Sequence, residues 1–395
     1  MFALTVQSPW VTDSESGQAG IVTDPGLATD DLMAATPNEL LTERLRNQQL
    51  IDSTRTSPED VVSWMVAMQA QDYPAAKWAI GLRAPSCHDG NVEQAFNDGR
   101  ILRTHVLRPT WHFVTPADVR WLLALSAPRV HGVNAYYYRQ AGLDAKVFKK
   151  SCALMHRMLE GGQTLTRAEM ATHLKRAKIP AEGLKLAYLT IHAELEGVIC
   201  SGPRRGSQFT YALLDERVPS RGKPKSRDEA LAELVMRYFA SHGPATARDF
   251  SWWSGFTLTD TNKAIASVQP ALESTTIGDL VYWCAEAPAA TRAKKTPAFL
   301  LPNYDEYLIA YKDRGAFVEK GRAANVVARS NSALANHLMI DGKLAGSWSR
   351  ALNANAVQIQ VSPYKKLAPA QARTVQSAAD CYGEFLGLKA NLAVL

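Results

Sequence analysis

Three times between residues 38 and 288 the chain passes through helical periodicity and then into a short pair of β-branched or aromatic segments, and few folds admit that order. The first round runs through NELLTERLRNQQL, the helix opened by Ser57-Pro58-Glu59-Asp60, AAKWAIGLRAP and VEQAFNDGRIL. It ends in ILRTHVLRPTWHFVTP, read as extended chain. The second begins with AKVFKKSCALMHRMLEGG and continues into EMATHLKRA behind a Thr166-Arg167-Ala168-Glu169 capping box. GLKLAYLTIHAELEGVICSG then runs from helix into strand, and VICSGPRRGSQFTYALL forms a hairpin with Gly202, Pro203, Arg204, Arg205 and Gly206 at its tip. The third reads SRDEALAELVMRYFASHG, ATARDFSWWSGF and TLTDTNKAIASVQPAL, closing on TTIGDLVYWCAE as a strand pair. Helices followed by a β-wing are the winged-helix order. The expected fold is therefore mainly α with β-wings: three tandem winged-helix units at 38–135, 145–215 and 226–288.

Around that frame, residues 1–36 lack periodicity and are expected to be a mobile leader, and RVPSRGKPKSRDE marks a linker near 216–228. After ADVRWLLALSAPRV, the stretch holding Tyr136, Tyr137 and Tyr138 is expected to connect the first unit to the second. Past Lys294 and Lys295, the segment 296–395 offers alternating runs split by glycine turns in AFLLPNYDEYLIAY, NHLMIDGKLAGSWSR and VQIQVSPY. These suggest a small antiparallel sheet or β-barrel, with PAQARTVQSAADCYGEFLGL as a terminal amphipathic helix packing back on the body.

Composition narrows the function. No window approaches ~18 apolar residues and the opening lacks the basic and apolar regions of a secretory signal, so no membrane partner is expected and the default location is cytoplasmic. Five cysteines lie far apart without CxxC or histidine at ligand spacing, so no metal and no cofactor are expected. His105 and His112, seven apart, face opposite sides of an extended chain and lack a third ligand. A net charge of +6 and a pI near 9.0, with Arg and Lys clustered in a few places, make nucleic acid the leading partner. Neither GxGxxG nor a P-loop, GxSxG or HExxH pattern occurs. Asp305 and Glu306 are open to two readings, a carboxylate site or structural pairs with Lys312 or Arg314.

The most informative stretch is Gln69-Ala70-Gln71-Asp72-Tyr73-Pro74. Val61, Val62, Trp64, Met65 and Met68 recur at helical spacing, and Pro74 is expected to bar Tyr73 from the helix and so stop the run. Residues two apart diverge by about 200° on a helix but share a face on extended chain. If the chain leaves the helix, both amides can converge on one small target.

Taken together, MQAQDYPAAKWAIGLR, RTHVLRPTWHFVTPADVRWLL, FLLPNYDEYLIAYKDR and MIDGKLAGSWSR, in that order, resemble the AlkZ/YcaQ-type winged-helix DNA glycosylases over about residues 38 to 390. The resemblance implies three tandem winged-helix units and a β-barrel forming a concave DNA-binding surface. It also implies a catalytic pair of glutamines around one apolar residue, falling on Gln69 and Gln71; the YcaQ-like branch has Asp at the second position. Asp72 enters as an electrostatic helper or a helix-end residue. The implied reaction is hydrolysis of the N-glycosidic bond of bulky or crosslinked N7-alkylated purines in double-stranded DNA, in repair or self-resistance, by a monomer. Arg103, His105 and Arg108 beside the pair, and Arg204 and Arg205 at the second wing tip, are the expected DNA contacts. The alternative is a non-catalytic winged-helix transcriptional regulator, to which neither the glutamines nor the fourth segment would be of use.

Overall fold

Polar caps and proline signals divide the chain into short helices, as the pattern requires. The computed structural model describes residues 36–219, 223–285, 297–318 and 335–395. The leader up to residue 35, part of the 216–228 linker and the Lys294-Lys295 boundary lie outside the described residues.

α1 (Pro37–Asn47) starts at Thr36, whose hydroxyl accepts from the Glu39 N–H while the Glu39 carboxylate accepts in return. The first round follows as α2 (Pro58–Met65), β1 (Met68–Gln69), α3 (Tyr73–Arg83), α4 (Asp89–Asn97), β2 (Leu102–His105) and β3 (Trp111–Val114). Ser57 caps α2 by accepting from the Asp60 N–H, as its position predicts. The helix nevertheless stops earlier than its apolar spacing suggests, because Met68 belongs to a strand paired with Phe113. Pro74 is not the stop. It lies in the first turn of α3, where its missing N–H costs nothing and Tyr73 is already helical.

ILRTHVLRPTWHFVTP is likewise not one extended run. It folds back at Leu107 into the β2–β3 hairpin, with His105 opposite Trp111 and Thr104 opposite His112. The two histidines occupy successive rows, and it is this register that puts them on opposite faces.

Another departure is α5 (Pro116–Gln140), which continues through Pro128 and all three tyrosines as one helix. Burial of Tyr138 edge-on against Phe148 carries the helix past the point where a connector was expected. The second round is α6 (Ala145–Leu159), β4 (Leu165–Thr166), α7 (Arg167–Arg176), α8 (Gly183–Leu195), β5 (Ile199–Ser201) and β6 (Thr210–Leu213), followed by the turn α9 (Leu214–Arg217). The third is α10 (Arg227–His242), α11 (Ala247–Ser254), α12 (Leu258–Val268), β7 (Glu273–Ile277) and β8 (Leu280–Cys284).

In each round a short segment before the second helix pairs antiparallel with the last strand of the hairpin. β1 pairs with β3 and β4 with β6, and Ala245 bridges Trp283.

The remainder holds β9 (Phe299–Leu301), α13 (Glu306–Ile309), β10 (His337–Ile340), β11 (Lys343–Leu352), β12 (Ala356–Pro363), α14 (Pro369–Leu386) and β13 (Lys389–Val394). Their sheet has the open order β13-β12-β11-β10-β9. It is mixed rather than antiparallel, since β12 and β13 run parallel and α14 supplies the crossover that a parallel pair needs. The run expected to be a strand around Asp305 and Glu306 is instead a short helix capped by Asp305. No helix among the described residues is long and apolar enough to cross a membrane.

Among the described residues, three apolar cores sit between these layers. One joins α1, α5 and α10–α12 to the segment around Tyr307 and Tyr311. A second joins α2–α4 to the mixed sheet and α14, with Trp78, Phe96, Trp348 and Tyr382 inside it. α6–α8 and their wing enclose the third. The fourth segment thus shares its cores with the first and third rounds, and this sharing brings Glu306 beneath Gln69.

Candidate active site

After α2 the chain turns through Val66, a fully buried β-branched residue at φ 66°, ψ −54°, with the Ala67 N–H donating to the Met65 carbonyl at 2.8 Å. That is a γ-turn of the rare positive-φ kind, costing about 1–3 kcal/mol of backbone strain. Gln69 follows in β1. The turn between β2 and β3 repeats the device, with Leu107 at φ 61° and the Arg108 N–H 2.6 Å from the Val106 carbonyl. Beside it, Gly255 ends α11 at φ 78°, where a Cβ would stand 3.0 Å from the Leu107 oxygen. Strained backbone held by close packing thus aims both Gln69 and Arg108.

Gln69 is held from two sides. Its N–H donates to Glu306 Oε1 at 2.7 Å and its Oε1 accepts from Arg108 Nη2 at 3.1 Å. Glu306 is buried and its other oxygen accepts from Trp253 Nε1 at 3.0 Å, with His242 Nε2 3.7 Å away. Burial alone would raise this carboxyl, but the facing His242, the Gln69 N–H and the Arg108 charge outweigh it and hold it below the usual range. His242 is itself pushed down by burial. The Arg108 guanidinium is lowered by burial, against the attraction of Glu306. The pair therefore brings a buried, compensated charge to the first glutamine.

Gln71 sits two residues on, its Oε1 accepting from the Trp111 N–H at 3.4 Å and so extending the sheet by one contact beyond the Ala70 N–H to Trp111 carbonyl bond of 2.7 Å. Each amide oxygen has two lone pairs and gives one to the protein, which fixes its direction and leaves the other for a ligand. Asp72 caps α3, with Oδ1 accepting from the Ala75 N–H at 3.2 Å and Oδ2 from Asn303 Nδ2 at 3.1 Å. One oxygen holds the helix start and the other ties it to the fourth segment.

Opposite Gln69 in the register stands His112, fully buried, with Nδ1 3.0 Å from the Thr110 carbonyl. Burial first, and then the nearby Arg108 charge, push it down to about 3, so it is neutral. Its Nε2, Thr104 Oγ1, Thr110 Oγ1 and Arg108 Nε are buried without a protein partner. Buried polar atoms of this kind require water or ligand. The face that carries Gln69 is polar and built to hold one.

Two of the expected DNA contacts are not surface cations. Arg103 is only 8% exposed, donates from Nε to the Ala70 carbonyl at 2.9 Å and lies over the rings of Trp111 and Phe209. Burial pulls it down to about 10, so it remains a cation at neutral pH. His105 is 3% exposed and paired through Nδ1 with Glu194 of α8. Strand alternation aimed both at the second round, where the α8 and Phe209 surfaces cover them. Arg108 is half-buried and committed to Gln69.

At the wing, Arg204 is packed over Tyr73 and Phe209 with Glu93 3.5 Å away. Arg205 stays exposed, 2.8 Å from Glu169. Asp305 pairs with neither Lys312 nor Arg314 but makes a bidentate, fully buried bridge to Arg83 at 2.8 and 2.9 Å. Glu306 as a support for Gln69 was not visible in sequence, because 237 residues separate them.

A model of the AlkZ-like DNA glycosylase family matches residues 62–385. An interstrand DNA cross-link repair glycosylase of Streptomyces sahachiroi is 26% identical over 329 residues, spanning 80% of this chain and 88% of the relative. The solved structure of the Streptomyces sahachiroi DNA glycosylase AlkZ superposes with a TM-score of 0.74 over 92% of this chain and 100% of that one, at 21% identity.

Proposed function

From the premise that this chain belongs to the AlkZ-like DNA glycosylases, hydrolases of the N-glycosidic bond, we propose that it excises bulky or crosslinked N7-alkylated purines from double-stranded DNA. Family membership displaces the regulator reading. The observation that carries the chemistry is the pair of amide oxygens on strained, buried backbone, each anchored by one donor and free on its second lone pair.

An N7-alkylated purine is already cationic, so C1′–N9 cleavage sends the bonding electron pair onto N9 and releases a neutral base. The sugar is left with oxocarbenium character. Water attacks C1′, the new C–O bond forms, and its proton passes to solvent. Leaving-group protonation is not required; what remains is to orient the water and tolerate charge, which positioned carbonyls do without accepting a proton. Gln69 and Gln71 are assigned that role. Buried Glu306 offsets Arg108, so the guanidinium that aims Gln69 does not oppose the cation that develops on the sugar. Asp72 is assigned to the helix start rather than to an electrostatic part.

The three repeated rounds are read as winged-helix units, and the mixed sheet as the counterpart of the family's barrel. An open surface lined by wings would suit an adduct joining both strands better than a closed base pocket. Arg205 contributes a phosphate contact, and a self-resistance role would follow from the lesion class. The test is to incubate the protein with duplexes carrying different N7-guanine adducts and cleave with alkali. Abasic sites at the adducts are expected, with undamaged purines intact; equal release of undamaged guanine, or none from any adduct, would overturn the reading.

A further inference from the structure

Away from the glutamines, the last turn of α8 and the middle of α5 bring together three side chains that the glycosylase reaction does not use. His192 and Glu196 are four residues apart, so both leave the same face of the helix end. His131 faces them from α5. One ligand atom from each lies within 4.8 Å of the others, with His131 Nε2 3.0 Å from Glu196 Oε1 and the two imidazole centroids 4.8 Å apart.

The surroundings settle which nitrogens are available. His131 Nδ1 is 3.3 Å from the Tyr138 hydroxyl, which also receives Asn134 Nδ2 at 3.4 Å, and this leaves Nε2 toward the carboxylate. His192 lies flat on Phe148, at 3.9 Å and 9° between rings, with Nδ1 3.7 Å from Cys152 Sγ, which leaves its Nε2. An outer partner on the second nitrogen of each histidine is the usual support of a metal ligand.

The geometry points to a divalent transition-metal site of the zinc class formed by His131, His192 and Glu196, which braces α8 against α5. Two imidazoles and one carboxylate are a donor set for zinc, with water completing the shell. Ligand bonds of about 2.0–2.2 Å require the three atoms to draw together by roughly 1 Å. Glu196 is half-exposed at the helix end and has the freedom to do so. Bound there, the ion would tie the helix that follows the first round to the second round, two residues from the Glu194–His105 contact that joins them.

The test is a titration of chelator-treated, full-length protein with Zn(II), followed by calorimetry and thermal unfolding. One equivalent should bind with micromolar affinity and raise the Tm. Glu196→Gln and His131→Ala should each weaken binding about tenfold or more and abolish the Tm rise, while Cys381→Ser, at an exposed cysteine, leaves both unchanged. His192→Ala risks the packing on Phe148, so the other two positions carry the test. Absence of saturable binding, or binding that survives both variants, overturns the site.

Discussion

The first and second rounds share their order down to a two-residue strand, Met68–Gln69 in one and Leu165–Thr166 in the other, paired antiparallel to the last strand of the hairpin. They part at the next residue. In the second round Thr166 ends the strand and caps α7 itself, its hydroxyl accepting from the Glu169 N–H. The third does the same, with Thr246 capping α11 directly after the bridged Ala245. In the first, Ala70, Gln71 and Asp72 intervene, and the cap falls to Asp72. The approach differs as well: Gly161 and Gly162 take φ 75° and 76° in open space, whereas the first round forces buried Val66 to φ 66°. A helix start needs one polar residue. Three extra residues behind a strained turn add a site to an unchanged skeleton, consistent with strain concentrating where function lies.

The largest break in that comparison comes from removing the two amides, Gln69 at the end of the shared strand and Gln71 among the extra residues. Gln69→Ala and Gln71→Ala should each lower single-turnover excision of an N7-alkylguanine by about 10²-fold, the effect of losing a positioned contact of about 2.7 kcal/mol. Duplex affinity and its salt dependence should stay as they are, since neither amide carries charge. If both hold the same water, the double variant will be barely worse than the worse single one. Wild-type rates in both variants would return the glutamines to ordinary strand and bend residues.

Next in size is Glu306→Gln. It leaves one acceptor where the Gln69 N–H and Trp253 Nε1 now have two, and removes the charge opposite Arg108, so excision should fall about tenfold by misaiming Gln69. Stability falls too, because a buried donor is left facing donors at a cost of about 1–3 kcal/mol. Circular dichroism and a melt separate the two effects. A folded variant with the wild-type rate would make Glu306 a packing group only.

The pH response sharpens the contrast between amide and acid–base chemistry. Excision per folded molecule should be flat from about pH 6 to 9, since amides do not titrate there; a bell would reveal a base. Stability behaves differently. His112 is depressed to about 3, so below its ordinary value of about 6.5 the unfolded chain binds the extra proton. Stability should therefore fall as pH drops below about 6.5, by up to about 1.4 kcal/mol per unit. His112→Asn should reduce that slope in urea titrations at several pH values, the remainder coming from His242 and His192, which burial also pushes down.

Much of this was legible in sequence because its signals are local. Capping boxes, glycine turns and the three-helix-then-hairpin order are set within a few residues, and Ser57, Thr166 and the Asp341-Gly342 turn of the β10–β11 hairpin follow from them. The glutamine pair needed a family resemblance, since two glutamines have no period. What stayed hidden depends on partners far along the chain: Glu306 under Gln69, Asp305 on Arg83, and His131 beside His192. Helical spacing also misled, since Met68 continues the apolar stripe of α2 although strand pairing has already taken it. Arg103 and His105 read as surface cations until the second round is placed over them.

The smallest effect separates Asp72 from the glutamines beside it. One carboxylate oxygen accepts from the Ala75 N–H, as Thr166 does from the Glu169 N–H in the second round, and the other goes to Asn303 of the fourth segment. Serine caps a helix about as well as aspartate, whereas alanine loses about 1 kcal/mol. Asp72→Ser should therefore keep stability within about 0.5 kcal/mol and excision within about threefold, a loss no larger than a weakened contact to Asn303 explains. Asp72→Ala and Thr166→Ala should cost similar stability, near 1 kcal/mol each, although one sits beside the glutamines and the other in a round without them. The decisive measurement is the single-turnover rate of Asp72→Ser at a temperature where it is fully folded. A loss approaching that of Gln69→Ala would mean that the carboxylate acts on the reacting sugar or its water, and that the three extra residues carry a charged group as well as an amide into the site.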